Sequence, residues 1–190
     1  MTRCGTSSSA AANIAPSYVP KAYPHIRVTY QGFLGVISDV VSMPTVSKVG
    51  WAKPVLVSKA NTEMTLHGWP SVAESVSLDL GNVLTPSHLI GEETMMISDR
   101  SSTGTAVVRA RALSEINWFE LSRDSDDGTR ASGPLSIVHG LTAGNIVTVT
   151  APAVEIGKVS QGQTNNLINY SLPLSLCPVN GLDEMKISFT

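Results

Sequence analysis

Residues 168–176 read Ile-Asn-Tyr-Ser-Leu-Pro-Leu-Ser-Leu, with an apolar side chain at every second position. This period of two is typical of a β-strand with one buried and one exposed face, because successive side chains of a strand point to opposite sides. The same alternation returns in residues 26–30, 76–80, 135–137, 147–149 and 185–189. The chain is therefore predicted to be mainly β and built from half-buried strands.

Turn-forming pairs separate these stretches: Gly81-Asn82, Asp127-Gly128, Gly144-Asn145 and Asn180-Gly181. Gly and Asn adopt the backbone conformations that tight hairpins need. Only residues 114–123 have helical spacing, with Ser114 as the predicted N-cap. The predicted fold is a set of packed antiparallel sheets, a β-sandwich or part of a barrel, with one short helix.

The length of 190 residues indicates one domain. Residues 1–24 combine a Ser/Ala run with three prolines, which favours an extended N-terminal arm, so the β-rich domain is predicted to span residues 25–190. Residues 40–61 are interrupted by Met43-Pro44 and Lys53-Pro54 and are predicted to be a long contact loop or hairpin. Trp51 at its tip is expected to meet a partner.

Charged residues make up only 15% of the chain, against about 25% in an average soluble domain. Thirteen basic and fifteen acidic residues give a net charge of −2, which argues against a duplex-DNA binder with a basic footprint. Residues 131–154 and 159–182 contain no charged side chain, yet their Gly, Asn and Pro content does not fit a membrane span. We therefore expect sheet faces and edges to be covered by copies of the chain.

No catalytic, cofactor or metal site is predicted. The four histidines are scattered without the close-spaced pair that zinc sites usually have: His25, His67, His88 and His139. The acidic turn from Asp124 to Gly128, with Asp126 and Asp127, does not have EF-hand spacing and is interpreted as a solvated hairpin tip. Nucleophile and phosphate-loop motifs are also missing.

Three further pairs of residues have structural interpretations. Glu92 and Glu93 are neighbours, so in a strand they would point to opposite faces and not cooperate. Arg109 and Arg111 are predicted on one strand face with Val107, without the aromatic platform of a nucleic-acid site. Two cysteines far apart in sequence, Cys4 and Cys177, are interpreted as free thiols of a reducing compartment.

Several short stretches resemble one protein family. Residues 77–82, 89–93 and 97–100 are similar to the middle of the tail tube proteins, or major tail proteins, of tailed bacteriophages. Residues 139–140, 143–147 and 151–154 resemble their second half, and residues 178–189 resemble their end, where a Gly-x-Asp-Glu turn precedes the last strand. The resemblance covers about residues 64–190, and no single motif carries it.

This resemblance implies a virion protein made in the cytoplasm of a host bacterium. It implies packed antiparallel sheets with a flanking helix, six copies to a ring, and stacked rings whose strands share an inner β-barrel. Its partners would be its own copies, the tape-measure protein, DNA passing without sequence-specific binding, and tail terminator, distal tail or sheath proteins, with no membrane. We further expect the bore to be polar to acidic, with Arg109 and Arg111 pointing elsewhere. Residues 1–24 and 40–61, which the resemblance does not match, are expected to reach neighbouring subunits or the next ring.

Two other interpretations stay open. A capsid-decoration or head–tail joining protein of a phage would share the β architecture and the low charge, but would form a small closed oligomer. A non-catalytic carbohydrate-binding β-sandwich module would need a row of exposed aromatic residues, and aromatic residues are only 5% of this chain. An enzyme would need a pocket with convergent titratable groups, which the sequence does not indicate.

Overall fold

The computed structural model describes residues 2–5, 10–35, 37–40, 45–50, 53–124 and 128–190, with backbone alone for residues 2–5 and 37–40. Within these residues the chain forms fifteen β-strands and one short helix, which confirms the predicted mainly β class. The strands are β1 (Thr2–Gly5), β2 (Ala10–Tyr18), β3 (His25–Gly32), β4 (Ile37–Val40), β5 (Thr62–Leu66), β6 (Trp69–Pro70), β7 (Ala73–Asp79), β8 (Asn82–Leu89), β9 (Glu92–Arg100), β10 (Thr103–Arg109), β11 (Ser132–His139), β12 (Val147–Ile156), β13 (Ser160–Thr164), β14 (Leu167–Cys177) and β15 (Lys186–Phe189). The helix is α1 (Trp118–Leu121).

Eleven of these strands form one large antiparallel sheet. Its order is β3-β2-β7-β10-β14-β12-β11-β5-β6, with β13 added to β14 and β15 added to β12. One edge of β14 pairs with β10, and its other edge pairs with β13 along the first half and with β12 along the second half. The large sheet therefore branches at β14 into two parts, one that contains β10 and β13 and one that contains β12. Two smaller sheets are formed by β1 with β4 and by β8 with β9.

The buried side chains of both parts of the sheet belong to one hydrophobic cluster. They come mainly from six strands: Met64 and Leu66, Val76 and Leu78, Ala106 and Val108, Leu135 and Ile137, Val149 to Ile156, and Leu172 to Leu176. In β14 the predicted alternation is confirmed, because Leu172, Leu174 and Leu176 are buried while Pro173 and Ser175 are exposed. The alternation does not hold at Ile168, which is exposed where β14 pairs with the fully exposed β13.

The N-terminal segment differs from the prediction of an arm outside the core. Strand β2 pairs with β3 from Ala10↔Gly32 to Ser17↔His25, and with β7 at Ser17 and Tyr18. Tyr18 is buried in the core, so the predicted core boundary near His25 lies too late in the chain. Prolines favour extended backbone, which occurs both in a free arm and in a sheet strand. The prolines of residues 1–24 therefore do not distinguish an arm from a strand.

The prediction that residues 26–30 form a half-buried strand is only partly correct. These residues belong to β3, but Val28 is 38% exposed and Tyr30 is 73% exposed. Among the described strands β3 lies at the end of the sheet order and pairs with β2 alone. Val28 and Tyr30 therefore face solvent in the isolated chain, since no other described residues bury them.

The predicted helix over residues 114–123 is reduced to α1. Ser114 lies in a preceding turn, and the N-cap is Asn117, whose side chain accepts a hydrogen bond from Glu120 N at 3.2 Å. Asn competes for backbone hydrogen bonds inside a helix and is favoured at its start, which explains the later beginning. Trp118 anchors the helix in the core. No helix among the described residues has the length and apolar character needed to cross a membrane.

The segment 40–61 follows β4 and is described only in part. Residues 45–50 and 53–58 contain no strand. Val57 is buried, and its backbone is held by Lys21 N→Val57 O at 2.9 Å and Val57 N→Ala22 O at 3.0 Å. Residues 41–44 and Trp51 lie outside the described residues, so the partner contact expected at Trp51 stays a prediction.

Position 81 requires glycine for two reasons, its backbone conformation and the lack of room for a side chain. Its φ of +64° favours glycine, and a Cβ there would overlap the carbonyl group of Ser101. Positive φ angles at Gly128, Gly144 and Gly181 likewise agree with the predicted turns, although Asp127 lies outside the described residues.

Replacing Leu172 by Ala should lower the free energy of unfolding by about 3 kcal/mol, because the side chain is fully buried at 0% exposure and leaves a cavity. The matched control is Leu167→Ala in the same strand, where the side chain is 48% exposed, and we expect a loss of about 0.5 kcal/mol or less. Urea unfolding followed by circular dichroism measures both. Equal losses for the two variants would contradict the assignment of β14 as the core strand.

Candidate assembly surface

Strands β8 and β9 form a long hairpin that stands apart from the large sheet. They pair from Asn82↔Arg100 to Leu89↔Glu92, with a turn at Ile90-Gly91. The base of the hairpin is fixed to β2, since Asn82 N donates to Asn13 Oδ1 at 3.1 Å and Asn82 Nδ2 donates to Ala12 O at 2.9 Å. The hairpin therefore has a set orientation relative to β2.

A hydrogen-bonded cluster, here termed the polar joint, consists of Asn13, Asp79, Asn82, Arg100 and Glu184. Asn13 Nδ2 donates to Asp79 Oδ1 at 2.8 Å. Arg100 Nε donates to Asn82 Oδ1 at 2.8 Å, and Arg100 Nη1 donates to Glu184 Oε2 at 3.1 Å. Glu184 is 8% exposed. Because these charge-assisted bonds are partly shielded from water, they contribute more than surface ion pairs.

Sequence reasoning missed the polar joint because its members come from distant parts of the chain. In the sequence, Gly81-Asn82 indicates only a turn, and Arg100 and Glu184 belong only to stretches that carry the family resemblance. One signal was available. Asn82 and Arg100 are the polar residues that bound the two strands of the hairpin, and opposite residues at a hairpin base are direct neighbours in an antiparallel pair.

Strand β3 offers an open edge. All of its residues except Ile26 are exposed, and within the described part of the chain its second edge pairs with no strand. Natural edge strands are usually protected by Lys, Pro or a bulge. Strand β3 contains one Arg, no Lys and no Pro. Its backbone groups can therefore pair with the edge of another chain.

A polar concavity of about 500 Å³ lies on the outer side of β2, β3, β7 and β10. Most of its lining side chains are short and uncharged, and we term this surface the hydroxyl face: Asn13, Ser17, Thr29, Ser77, Thr103 and Thr105. Arg27 and Asp79 also line it, and their charges offset each other. Such a surface can hydrogen-bond with water but has little net attraction for phosphate.

The histidines do not form one cluster, although His25 and His139 both line a small concavity. His25 lines the hydroxyl face, and His88 lies on the exposed hairpin. His139 is buried, with Nδ1 at 2.8 Å from Thr62 Oγ1 and Nε2 at 3.2 Å from Val55 O. Since a carbonyl only accepts, Nε2 donates to Val55 O, and the Thr62 hydroxyl lies within hydrogen-bond distance of both Nδ1 and Asn61 Oδ1, at 3.1 Å from the latter. His139 is thus held by hydrogen bonds at the end of β11.

His67 lies in the turn between β5 and β6 with a φ of +53°. Its Nε2 donates to Val154 O at 2.7 Å. Burial lowers the pKa of His67 below its usual value of 6.5, although the bond to Val154 acts in the opposite direction. Among residues whose side chains are described, no group of three or more His, Cys, Asp or Glu is arranged to hold a metal ion.

The remaining predicted residues are dispersed. Asp124 forms an ion pair with Arg130 at 2.8 Å, while Asp126 and Asp127 lie outside the described residues. Arg109 ends β10, so Arg111 lies beyond the strand, and the prediction that both arginines share a strand face is wrong. The regular alternation of side chains stops after Arg109, because β10 ends there.

The two cysteines differ in how much is described. Cys177 is a free thiol, as predicted, and burial together with nearby Glu155 raises its pKa. Cys4 lies in β1, of which only the backbone is described.

No protein-family model matches the sequence, and no curated protein matches it.

Replacing Arg100 by Met should lower the free energy of unfolding by about 2 to 3 kcal/mol, because it leaves Glu184 buried without a partner and removes a donor from Asn82. The matched control is Arg123→Met, which breaks an ion pair to Glu120 at 3.8 Å between side chains that are mostly exposed. That loss should be about 0.5 kcal/mol or less. Chemical denaturation of both variants measures the difference. A loss at Arg100 no larger than at Arg123 would show that the polar joint does not stabilise the fold.

Acidification should destabilise the fold through His67. Its pKa is lower in the folded chain than in the unfolded chain, so the unfolded chain binds the proton first as the pH falls below about 6.5. Stability is therefore full above that pH and decreases below it. In His67→Asn, which keeps a residue that tolerates positive φ, the decrease between about pH 7.5 and about pH 5.5, one unit either side of 6.5, should be smaller. Urea midpoints measured across this range test the effect, and parallel profiles for both proteins would contradict it.

Proposed function

We propose that this chain is a structural virion protein of a tailed bacteriophage that assembles into the rings of the tail tube. One observation carries the proposal: β3 is an eight-residue strand with an open edge and exposed apolar side chains in a chain with only 15% charged residues. A domain that kept this edge in water would be prone to uncontrolled edge-to-edge association. Pairing in a closed ring covers the edge in every copy.

The proposed assembly gives the hydroxyl face a role. Strands β2, β3, β7 and β10 would contribute to an inner barrel, with this face toward the bore, and the inward side of the same sheet would pack as one half of a β-sandwich. Short hydroxyl side chains and offsetting charges would let DNA pass without a strong electrostatic grip. The net charge of −2 agrees with this role.

The proposal includes the partners that the family resemblance implies. Six copies would form a ring, and stacked rings would enclose the tape-measure protein and later conduct DNA during ejection. Terminator, distal tail or sheath proteins would contact the ends or the outside of the tube. The chain would act mechanically and not as an enzyme, since its buried polar side chains serve as structural hydrogen-bonding groups, as Glu184 and His139 do.

Negative-stain electron microscopy of the purified chain tests this proposal, and we expect rings or open-ended tubes with a central hole. The double variant Val28→Lys, Tyr30→Lys places charges on the open strand and should abolish them, because edge charges oppose strand pairing. Both side chains are exposed, so the monomer should keep its fold.

The matched control adds the same two charges at exposed turn positions, Leu113→Lys and Val179→Lys, and should still assemble. A small closed oligomer of the unmodified chain would instead indicate a capsid-decoration or head–tail joining protein. A monomer at high concentration would refute the proposal altogether.

A further inference from the structure

The hairpin of β8 and β9 ends in an exposed apolar tip, formed by Leu89 and Ile90. Leu89 is 64% exposed, and Ile90 is fully exposed. Glu92 and Glu93 follow directly and are also exposed. Two adjacent aliphatic side chains in water beside two carboxylates are costly for an isolated chain, so the tip is suited to insertion into an apolar site with a basic rim.

A cavity of about 320 Å³, here termed the seam cavity, is lined by residues of β5 and β7, which are not neighbours in the large sheet, and by residues of the segment before β5. Its lining is mostly apolar: Tyr18, Val57, Met64, Val72, Val76 and Ile137. A cavity of about 150 Å³ is enough to hold a benzene molecule. The seam cavity therefore has room for two aliphatic side chains.

The rim of the seam cavity is basic. Lys59 lines it, and Lys21 lies beside it because its backbone nitrogen donates to Val57 O at 2.9 Å. Among residues whose side chains are described, neither lysine takes part in an ion pair, and the same is true of Glu92. The tip therefore carries negative charge and the rim carries positive charge. Of these charged side chains, only Glu93 is in a described ion pair.

The apolar tip and the seam cavity lie toward opposite ends of β2. Asn82 at the hairpin base is bonded to Ala12 and Asn13, whereas His88 near the tip packs on Phe33, which lies just beyond the Ala10 end of the strand. Tyr18 at the other end lines the cavity. Strand β2 has nine residues and is about 30 Å long, so the tip points away from the cavity of its own chain.

We propose that the apolar tip of one copy inserts into the seam cavity of a second copy displaced along β2, with Glu92 and Glu93 facing Lys59. This inference rests on the proposed self-assembly and adds the contact that joins one ring to the next. The two surfaces are different, so the contact is head-to-tail and repeats without closing. Edge pairing through β3 would close each ring, and this contact would stack the rings.

Substitution at Ile90 tests the apolar part of the contact. Ile90→Ser should raise the protein concentration needed for tube formation about tenfold or more, because it removes most of one buried aliphatic side chain. Ile90→Leu is the matched control and should assemble like the unmodified chain. Light scattering across a concentration series measures the threshold, and electron microscopy should show single rings of Ile90→Ser below it.

A charge exchange tests the polar part. Glu92→Lys with Glu93→Lys should raise the threshold, and so should Lys59→Glu alone. An equal mixture of the two variant proteins should form stacks again. Where the two variants alternate along a stack, every tip meets a rim of opposite charge. Rescue by mixing distinguishes this contact from misfolding, which mixing does not repair.

Zero-length crosslinking gives direct positional information. Tubes made from equal amounts of ¹⁴N- and ¹⁵N-labelled chain are treated with a carbodiimide, which joins a carboxylate to an amine in contact. Mass spectrometry should find Lys59 linked to Glu92 or Glu93 in mixed-isotope pairs. Tubes that form normally with Ile90→Ser and lack these links would overturn the stacking contact while leaving the proposed function intact. A chain that forms neither rings nor tubes would overturn both.

Discussion

Antiparallel pairing of β14 with three other strands is the interaction on which the rest of the structure depends. Strand β10 occupies one edge, while β13 and β12 divide the other. The alternating leucines of β14 lie where the two parts of the sheet share a core. Because this strand links both parts, its register sets the position of β10 and, through β10, the position of β7, with which β2 pairs.

The polar joint gives that hairpin a direction. An isolated two-stranded hairpin is only marginally stable in water, and a flexible one would present its tip at many angles. Bonds from Asn82 to β2 and from Arg100 to Glu184 hold the base from two sides. An apolar tip held in one orientation loses less entropy when it enters a cavity than a flexible tip does. The polar joint thus connects the stability of the monomer with the geometry of the proposed assembly.

Local patterns predicted the parts of the fold that local physics determines. The alternation in β14 and β7 and the Gly-containing turns follow from side-chain direction and backbone freedom, which neighbouring residues already specify. Strand β2 was missed because Pro16 and its neighbours lack the alternation of a half-buried strand, and its place in the sheet depends on β7, far along the chain. Exposure of Tyr30 and the polar joint depend on tertiary neighbours, which periodicity does not encode.

The wide separation of the polar joint's members along the chain has a kinetic consequence. Asn13, Asn82 and Glu184 meet only after long loops have closed, and loop closure carries an entropic cost that slows folding. The two-residue turn at Ile90-Gly91 can form much earlier, because hairpins close within microseconds. The hairpin can therefore form transiently before the polar joint fixes its orientation. The proposed assembly would therefore become possible only when folding is complete.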